Sequence, residues 1–389
     1  MKSIPIPPSL APLRSFDISW VDVTSQRYYL ADRSNKTVDV IDAKNNTFIK
    51  AISGGFAGVH FNGAGAANND IAGPNGVVTS GRWLFVTDAP SRVVTIDLTN
   101  DQIVSTASTS ASPNRADELA YDPASGTLLV INNADDPPFG TLISVNKTNG
   151  HLSVVRKIIF DMSHSGFDAT NGAEQPVWEA ATQRFYVSIP EINCNVAAQC
   201  GGKFPLGAIA RINPVSGIVD GLFPVQHCQP AGLTLGPKQD LLLGCGVAFD
   251  AAGNAWRTTD PNSAAPISVI MDAKNGSIDR MVAGVSGSDE VWFNSGDGRY
   301  YLAARNQPGG PVLGVIDARS QKLTQVTPTV NAAGVPFVFP AGTAHSVAAN
   351  ARNNEVFVPL PANNVFPQCL NGCIAVYAAP NDDHHEGHH

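Results

Sequence analysis

The chain has 389 residues, a formal net charge of −8, 15% charged and 43% hydrophobic residues, 35 Gly and 28 Pro. So much apolar material with so little charge excludes a disordered chain, and the acidic balance disfavours nucleic acid as a partner. No run approaches the about 18 apolar residues of a membrane-spanning helix, and no stretch changes character, so one domain over residues 1–380 is expected.

In chain order, the start MKSIPIPPSL lacks an apolar h-region, so any signal peptide is expected to be already removed or never present. The next segment, FDISWVDVTSQRYYLADRSNKTVDVIDAKNNTFIKAI (16–52), reads as four short strands separated by Asp, Asn, Gly and Ser turns. Its second strand, YYLAD, recurs as LFVTD (84–88), LLVIN (128–132), FYVSI (185–189), LLLGC (241–245), YYLAA (300–304) and VFVPL (356–360). Its third strand, VDVIDAKN, recurs as VVTIDLTN (93–100), ISVIMDAKN (267–275) and LGVIDARS (313–320). No stretch carries a long 3.6-residue period, so helices should be scarce.

The expected fold is all-β: a seven-bladed propeller of four-stranded antiparallel blades, at about 14–52, 73–110, 114–160, 172–225, 228–284, 287–328 and 343–378. Six or eight blades are the rival counts. The last unit offers three strands, AHSVAANA, EVFVPL and CIAVYAAP, and residues 3–10 could supply the fourth and close the ring. The His-rich end, 381–389, reads as a disordered tail that would bind metal non-specifically.

The six cysteines fall as Cys194/Cys200, Cys228/Cys245 and Cys369/Cys373, each pair closing a short loop, with Cys228 and Cys245 symmetric about Gly236-Pro237. Three local disulfides imply an oxidising compartment, secreted, extracellular or periplasmic; six free buried thiols are the alternative. Asn35, Asn45, Asn146 and Asn275 open N-x-[ST] sequons, which fit secretion but are also common turn residues.

The segments YYLADRSNKTVDVIDAKN (28–45) and LFVTDAPSRVVTIDLTN (84–100) resemble the YVTN-type β-propeller repeat proteins, and the likeness runs along nearly the whole chain. That resemblance implies the fold, whereas the family's surface, binding and enzymatic members leave the function open. More distantly the chain is similar to gluconolactonase-like and virginiamycin B lyase-like propellers, which implies a divalent metal in the central tunnel.

In such a wheel the long connections 53–73, 161–173, 190–206, 246–265 and 327–343 all open on one face, the top, while opposite turns are minimal. Aligning the first strands puts Asp17, Asn75, Asp117, Glu174, Ala231, Asp289 and His345 in one column, at intervals of 58, 42, 57, 57, 58 and 56 residues. With the next position the column holds Asp17, Asp117, Glu118, Glu174, Asp289 and Glu290, and no Lys or Arg; Arg115 is the nearest basic residue. Six converging carboxylates repel one another unless a cation, shared protons or outward rotamers relieve them. Strand alternation predicts that only one member of each Asp-Glu pair faces the axis.

Four histidines, His60, His164, His227 and His345, precede or begin first strands, and imidazole with carboxylate suits a transition metal. The segment 55–73 reads as a possible lid, while Trp20, Trp178 and Trp292 read as packing between blades. Its Gly-x-Gly at 63–65 lacks a phosphate-loop Lys. No G-x-S-x-G appears and no cysteine is left over as a nucleophile.

The first expectation is a metal-dependent hydrolase (lactonase-like) or lyase acting on a small molecule. Its divalent ion (Ca, Zn, Fe or Mn) would be held by Glu118, Glu290, His345, Asp17, Asp117 and Asp289. His227 and Glu174 would move protons, and Asn75, Gln175, His60 and His164 would orient substrate. The alternative is a non-catalytic module binding a glycan, peptide or protein at the top face, with a structural cation. An iron redox site is a third. A closed ring permits a monomer.

Overall fold

The computed structural model describes residues 2–61, 67–193, 206–255, 264–307, 309–330 and 344–378. Seven four-stranded antiparallel blades follow one another around a ring, the first six taking their strands in chain order. They run from Ser19 to Ser53, Val77 to Ser108, Leu119 to Ile159, Pro176 to Val225, Cys228 to Ala283 and Glu290 to Pro328. The seventh joins Ala348–Asn350, Glu355–Leu360 and Cys373–Ala378 to the N-terminal strand Lys2–Pro5. That last pairing sets Lys2 opposite Val376 and Pro5 opposite Cys373, so the two ends of the chain clasp the wheel shut. The clasp is four residues long, and three of them fall in the expected 3–10 segment.

The burial pattern explains why these sequences make blades. Second and third strands are buried on both faces, as in YYLAD and LLVIN, because every blade is sandwiched between two others. A period of two then divides each strand between two cores. Tyr28 and Leu30 join the core shared with blade 7, while Tyr29 and Ala31 join the one shared with blade 2. Seven such apolar clusters lie one at each junction between neighbouring blades. Fourth strands face water along their outer side, as in the mostly exposed Leu152–Ile159. In six blades the third and fourth strands slip register at one equivalent place, for example Val40/Ile41, Leu142/Ile143 and Val315/Ile316. A bulge there increases the twist each blade needs to stack on the next.

Helix is scarce among the described residues: one turn at Met162–Ser165 and 3-10 turns at Asn69–Ile71 and Pro237–Gln239. Among the described residues no helix is long and apolar enough to cross a membrane. Adjacent top connections are tied together where Asp168–Ala169 pairs with Ile192–Asn193. Two disulfides form as the spacing implied, Cys228–Cys245 and Cys369–Cys373, with Cα separations of 5.1 and 4.9 Å. These suit an oxidising compartment. Cys194, Cys200 and the tail 381–389 lie outside the described residues.

Candidate functional site at the hub

First strands enter the hub from the top, and their entry points are stitched blade to blade by backbone bonds. Ile18 N–H donates to Asn75 O at 3.2 Å, Gly76 N–H to Asp117 O at 3.1 Å and Glu290 N–H to His345 O at 3.2 Å. Gly76 is required there, since a Cβ would lie 2.7 Å from Asp117 O and 2.4 Å from Leu119. Inside this ring sits a polar chamber of about 80 Å³, walled by Asp17, Asp117, Glu118, Glu174, Asp289, Glu290 and His345 together with Arg33, Arg115, Arg305 and Asn69. Five of the seven column residues therefore converge, Asn75 and Ala231 excepted, and all six carboxylates reach one cavity.

The expectation that only one member of each Asp-Glu pair reaches the axis needs correcting. Asp117 and Glu118 precede their strand, which begins at Leu119, and Asp289 precedes one that begins at Glu290. Pleat alternation does not govern residues outside the strand, so both members of each pair line the chamber.

Three arginines that the column did not contain balance much of this charge. Arg33, 2% exposed, bonds Asp17 through Nη2 and donates to Asn75 Oδ1 from Nε at 3.0 Å. Asn75 in turn donates to Ala72 O at 3.1 Å and Ala116 O at 2.8 Å, so it orients Arg33 within the wall. Arg115 lies 2.7 Å from Asp117 and 3.8 Å from Asp17, and Arg305 lies 3.1 Å from Asp289. A signal for two of them stands in the sequence. Arg33 follows YYLAD and Arg305 follows YYLAA, the same exit position of the second strand in blades 1 and 6.

His345 stacks on Phe16 with ring centroids 4.7 Å apart, and its Nε2 is 3.4 Å from Asp17 Oδ1. Burial alone would raise Asp17, but Arg33, the hydrogen bond from His345 and Arg115 together hold it well below the usual carboxylate range.

The other acids are pushed upward. Burial lifts Glu174 to about 8, reinforced by Asp117 and Asp289, and lifts Asp117 to about 7 despite Arg115 beside it. Glu118 and Glu290 are raised strongly, first by burial and then by neighbouring carboxylates. Glu290 Oε2 lies 2.7 Å from Ser346 Oγ, which is itself 2.8 Å from Ser19 Oγ, while its Oε1 is buried without a partner.

The remaining candidates disperse. His60 is exposed on the 53–73 connection, and His164 is exposed with its Nδ1 2.7 Å from Asp161. His227, in a left-handed backbone at φ 63°, has its Nδ1 3.0 Å from Asp250 O. None of the three lines the chamber. Gln175 Oε1 accepts from Leu233 N–H at 2.7 Å, below the chamber. The 53–73 connection does contribute Asn69 to the wall.

As a metal cradle the donor set fits poorly. Asp17, Asp117 and Asp289 each face a guanidinium, and among the described residues no three His, Cys, Asp or Glu side chains gather in a ligating arrangement.

Two further spaces adjoin the chamber. A top-face vestibule of about 170 Å³ shares Glu174, Asp289 and Arg305 with it and adds Asn171, Gln229, Ser288 and Asn306. Below, sharing Ile18 and Glu118, lies an apolar cavity of about 370 Å³ that includes Trp20, Trp178 and Trp292. The three tryptophans thus pack between blades and also face the tunnel, each only partly buried.

No protein-family model matches the sequence, so none supports the YVTN resemblance specifically, and no curated protein matches it. Solved structures match in fold. Hydrazine synthase from Kuenenia stuttgartiensis aligns with TM-score 0.67 and 12% identity over 96% of this chain and 97% of that one. The β-propeller domain of Cps50 (Swd1) from Myceliophteria thermophila aligns with TM-score 0.61 and 9% identity over 95% and 99%. At such identities the likeness establishes the seven-bladed propeller alone.

Proposed function

We propose that the protein is a secreted hydrolase or lyase of small molecules that works by acid–base chemistry in the hub chamber. One observation carries this reading: Asp117 and Glu174, two carboxyls that burial raises toward neutrality, line one enclosed chamber with Arg115 and Arg305. A general acid and a general base work best when their pKa values sit near the operating pH. Asp117, charged beside Arg115, takes a proton from water or from a carbon of the substrate. Glu174, protonated, returns one to the departing oxygen. Arg305 stands at the boundary between chamber and vestibule, where it suits an anionic or carbonyl oxygen of the substrate.

The chamber admits only the reacting end of a molecule, and the vestibule with its amides takes the rest. Two disulfides support an extracellular or periplasmic setting. No step is routed through a metal, because the aspartates are committed to arginines.

The test is turnover of a panel of lactones and hydroxycarboxylic acids by the wild-type protein, by Glu174→Gln and by Asp117→Asn. Loss of about 10²–10⁴-fold in kcat is expected for both variants under conditions where each still unfolds in one cooperative transition. Activity that survives both substitutions overturns the assignment. Elemental analysis and a melt with chelator run beside it: a stoichiometric divalent ion whose removal abolishes turnover would restore the metal-dependent reading. The binding-module alternative draws on the same vestibule, and isothermal titration with oligosaccharides distinguishes it.

A further inference from the structure

The lower tunnel has its own chemistry. Its walls run the length of the first strands, from Ile18 and Glu118 at the top to Ser80, Leu235 and the exposed Pro123 on the face opposite the long loops. No Lys or Arg lines it. Blade 7 contributes a first strand of only three residues, Ala348–Asn350, with small side chains. Across that gap Trp20 and Trp292 meet edge to face, ring centroids 5.1 Å apart at 72°. Trp20 Nε1 is satisfied by Thr79 Oγ1 at 3.0 Å, so this indole presents carbon surface to the tunnel.

At the upper end two polar groups converge. Gln175 uses its Oε1 on Leu233 N–H, which fixes the amide orientation, and its Nε2 has no partner among the described residues. Glu118 is 7% exposed, and no described residue hydrogen-bonds or ion-pairs with its carboxyl. Both line the cavity.

We propose that the lower tunnel is a separate binding site, entered from the face opposite the long loops, for a flat uncharged aromatic molecule with a carbonyl at its leading end. Apolar walls, partly exposed indoles from blades 1, 4 and 6 and a volume of about 370 Å³ suit one or two fused rings. The carbonyl oxygen accepts from Gln175 Nε2 and from the carboxyl O–H of Glu118. An anionic head would be buried among apolar walls with no cation to offset it.

Coumarin is the probe, with calorimetry and tryptophan quenching on the full-length protein as readouts. Saturable binding below millimolar concentration is expected. Naphthalene, which lacks the carbonyl, should bind at least fivefold more weakly, and 2-naphthoate not measurably. Val177→Phe fills the cavity without leaving a void and should abolish binding, while Trp292→Ala should weaken it at least tenfold. No binding of coumarin up to millimolar concentration overturns the proposal, as does binding that survives Val177→Phe. Equal affinity for naphthalene removes the role of Gln175 and Glu118. Tighter binding of benzyltrimethylammonium than of coumarin overturns the uncharged class.

Discussion

The two ends of the tunnel are built largely from the same first strands and the residues that enter them, yet they differ in almost every physical respect. The upper chamber is about 80 Å³ of carboxyls and guanidiniums, and the lower cavity about 370 Å³ of indole, aliphatic and hydroxyl surface. The difference comes from where along the strand each residue stands. Entry positions lie before the pleat, where Asp and Glu can converge and second-strand arginines can reach them. Positions inside the strand alternate between the two junction cores that flank a blade, as Val77 and Val78 do, and border the tunnel between them, so apolar residues fill both. Only Ile18 and Glu118 belong to both spaces.

The largest expected effect breaks the upper end. Arg33→Ala leaves Asp17 charged, buried and without its main partner, and should cost about 3–5 kcal/mol in chemical denaturation. The double variant Asp17→Leu with Arg33→Met removes both charges together and should recover much of that loss. At the lower end the stabilising agent is packing. Leu233→Ala, at a fully buried wall residue of the apolar cavity, should cost about 2–3 kcal/mol, and salt should not change the value.

The pH response sharpens the contrast. Glu174 has its folded pKa raised from 4.5 to about 8, and Asp117 from 3.8 to about 7. Stability from such groups is fully present below their unfolded values and is lost as pH rises through the folded ones. Melting temperature should therefore fall between about pH 5 and 8, and Glu174→Gln should flatten the slope. Val177→Phe, in the lower cavity, should leave that slope unchanged. The smallest effect is expected at Asn69→Ala, within about 0.5 kcal/mol, because this exposed residue only borders the chamber.

The wheel was legible because each blade repeats a periodic apolar pattern and the column of entry residues keeps a near-constant spacing. The clasp at Lys2–Pro5 and two disulfides followed from counting strands and cysteines. Arg33 and Arg305 were missed because the alignment followed first strands alone, while these two enter from second-strand exits. His60, His164 and His227 show the complementary limit. Chain position indicates which face a residue occupies and says nothing of its distance from the axis, and these three sit on top-face connections away from the chamber lining.

The central claim is that a carboxyl in the chamber stays protonated at neutral pH and gives up its proton slightly above it. Infrared difference spectroscopy of the carboxylic C=O band through a pH titration, wild type against Glu174→Gln, tests this most directly. The account predicts a protonated-carboxyl band present at neutral pH that bleaches near about 8 and is missing from the variant. A wild-type protein in which no Glu174-dependent band survives above about pH 6 would contradict it.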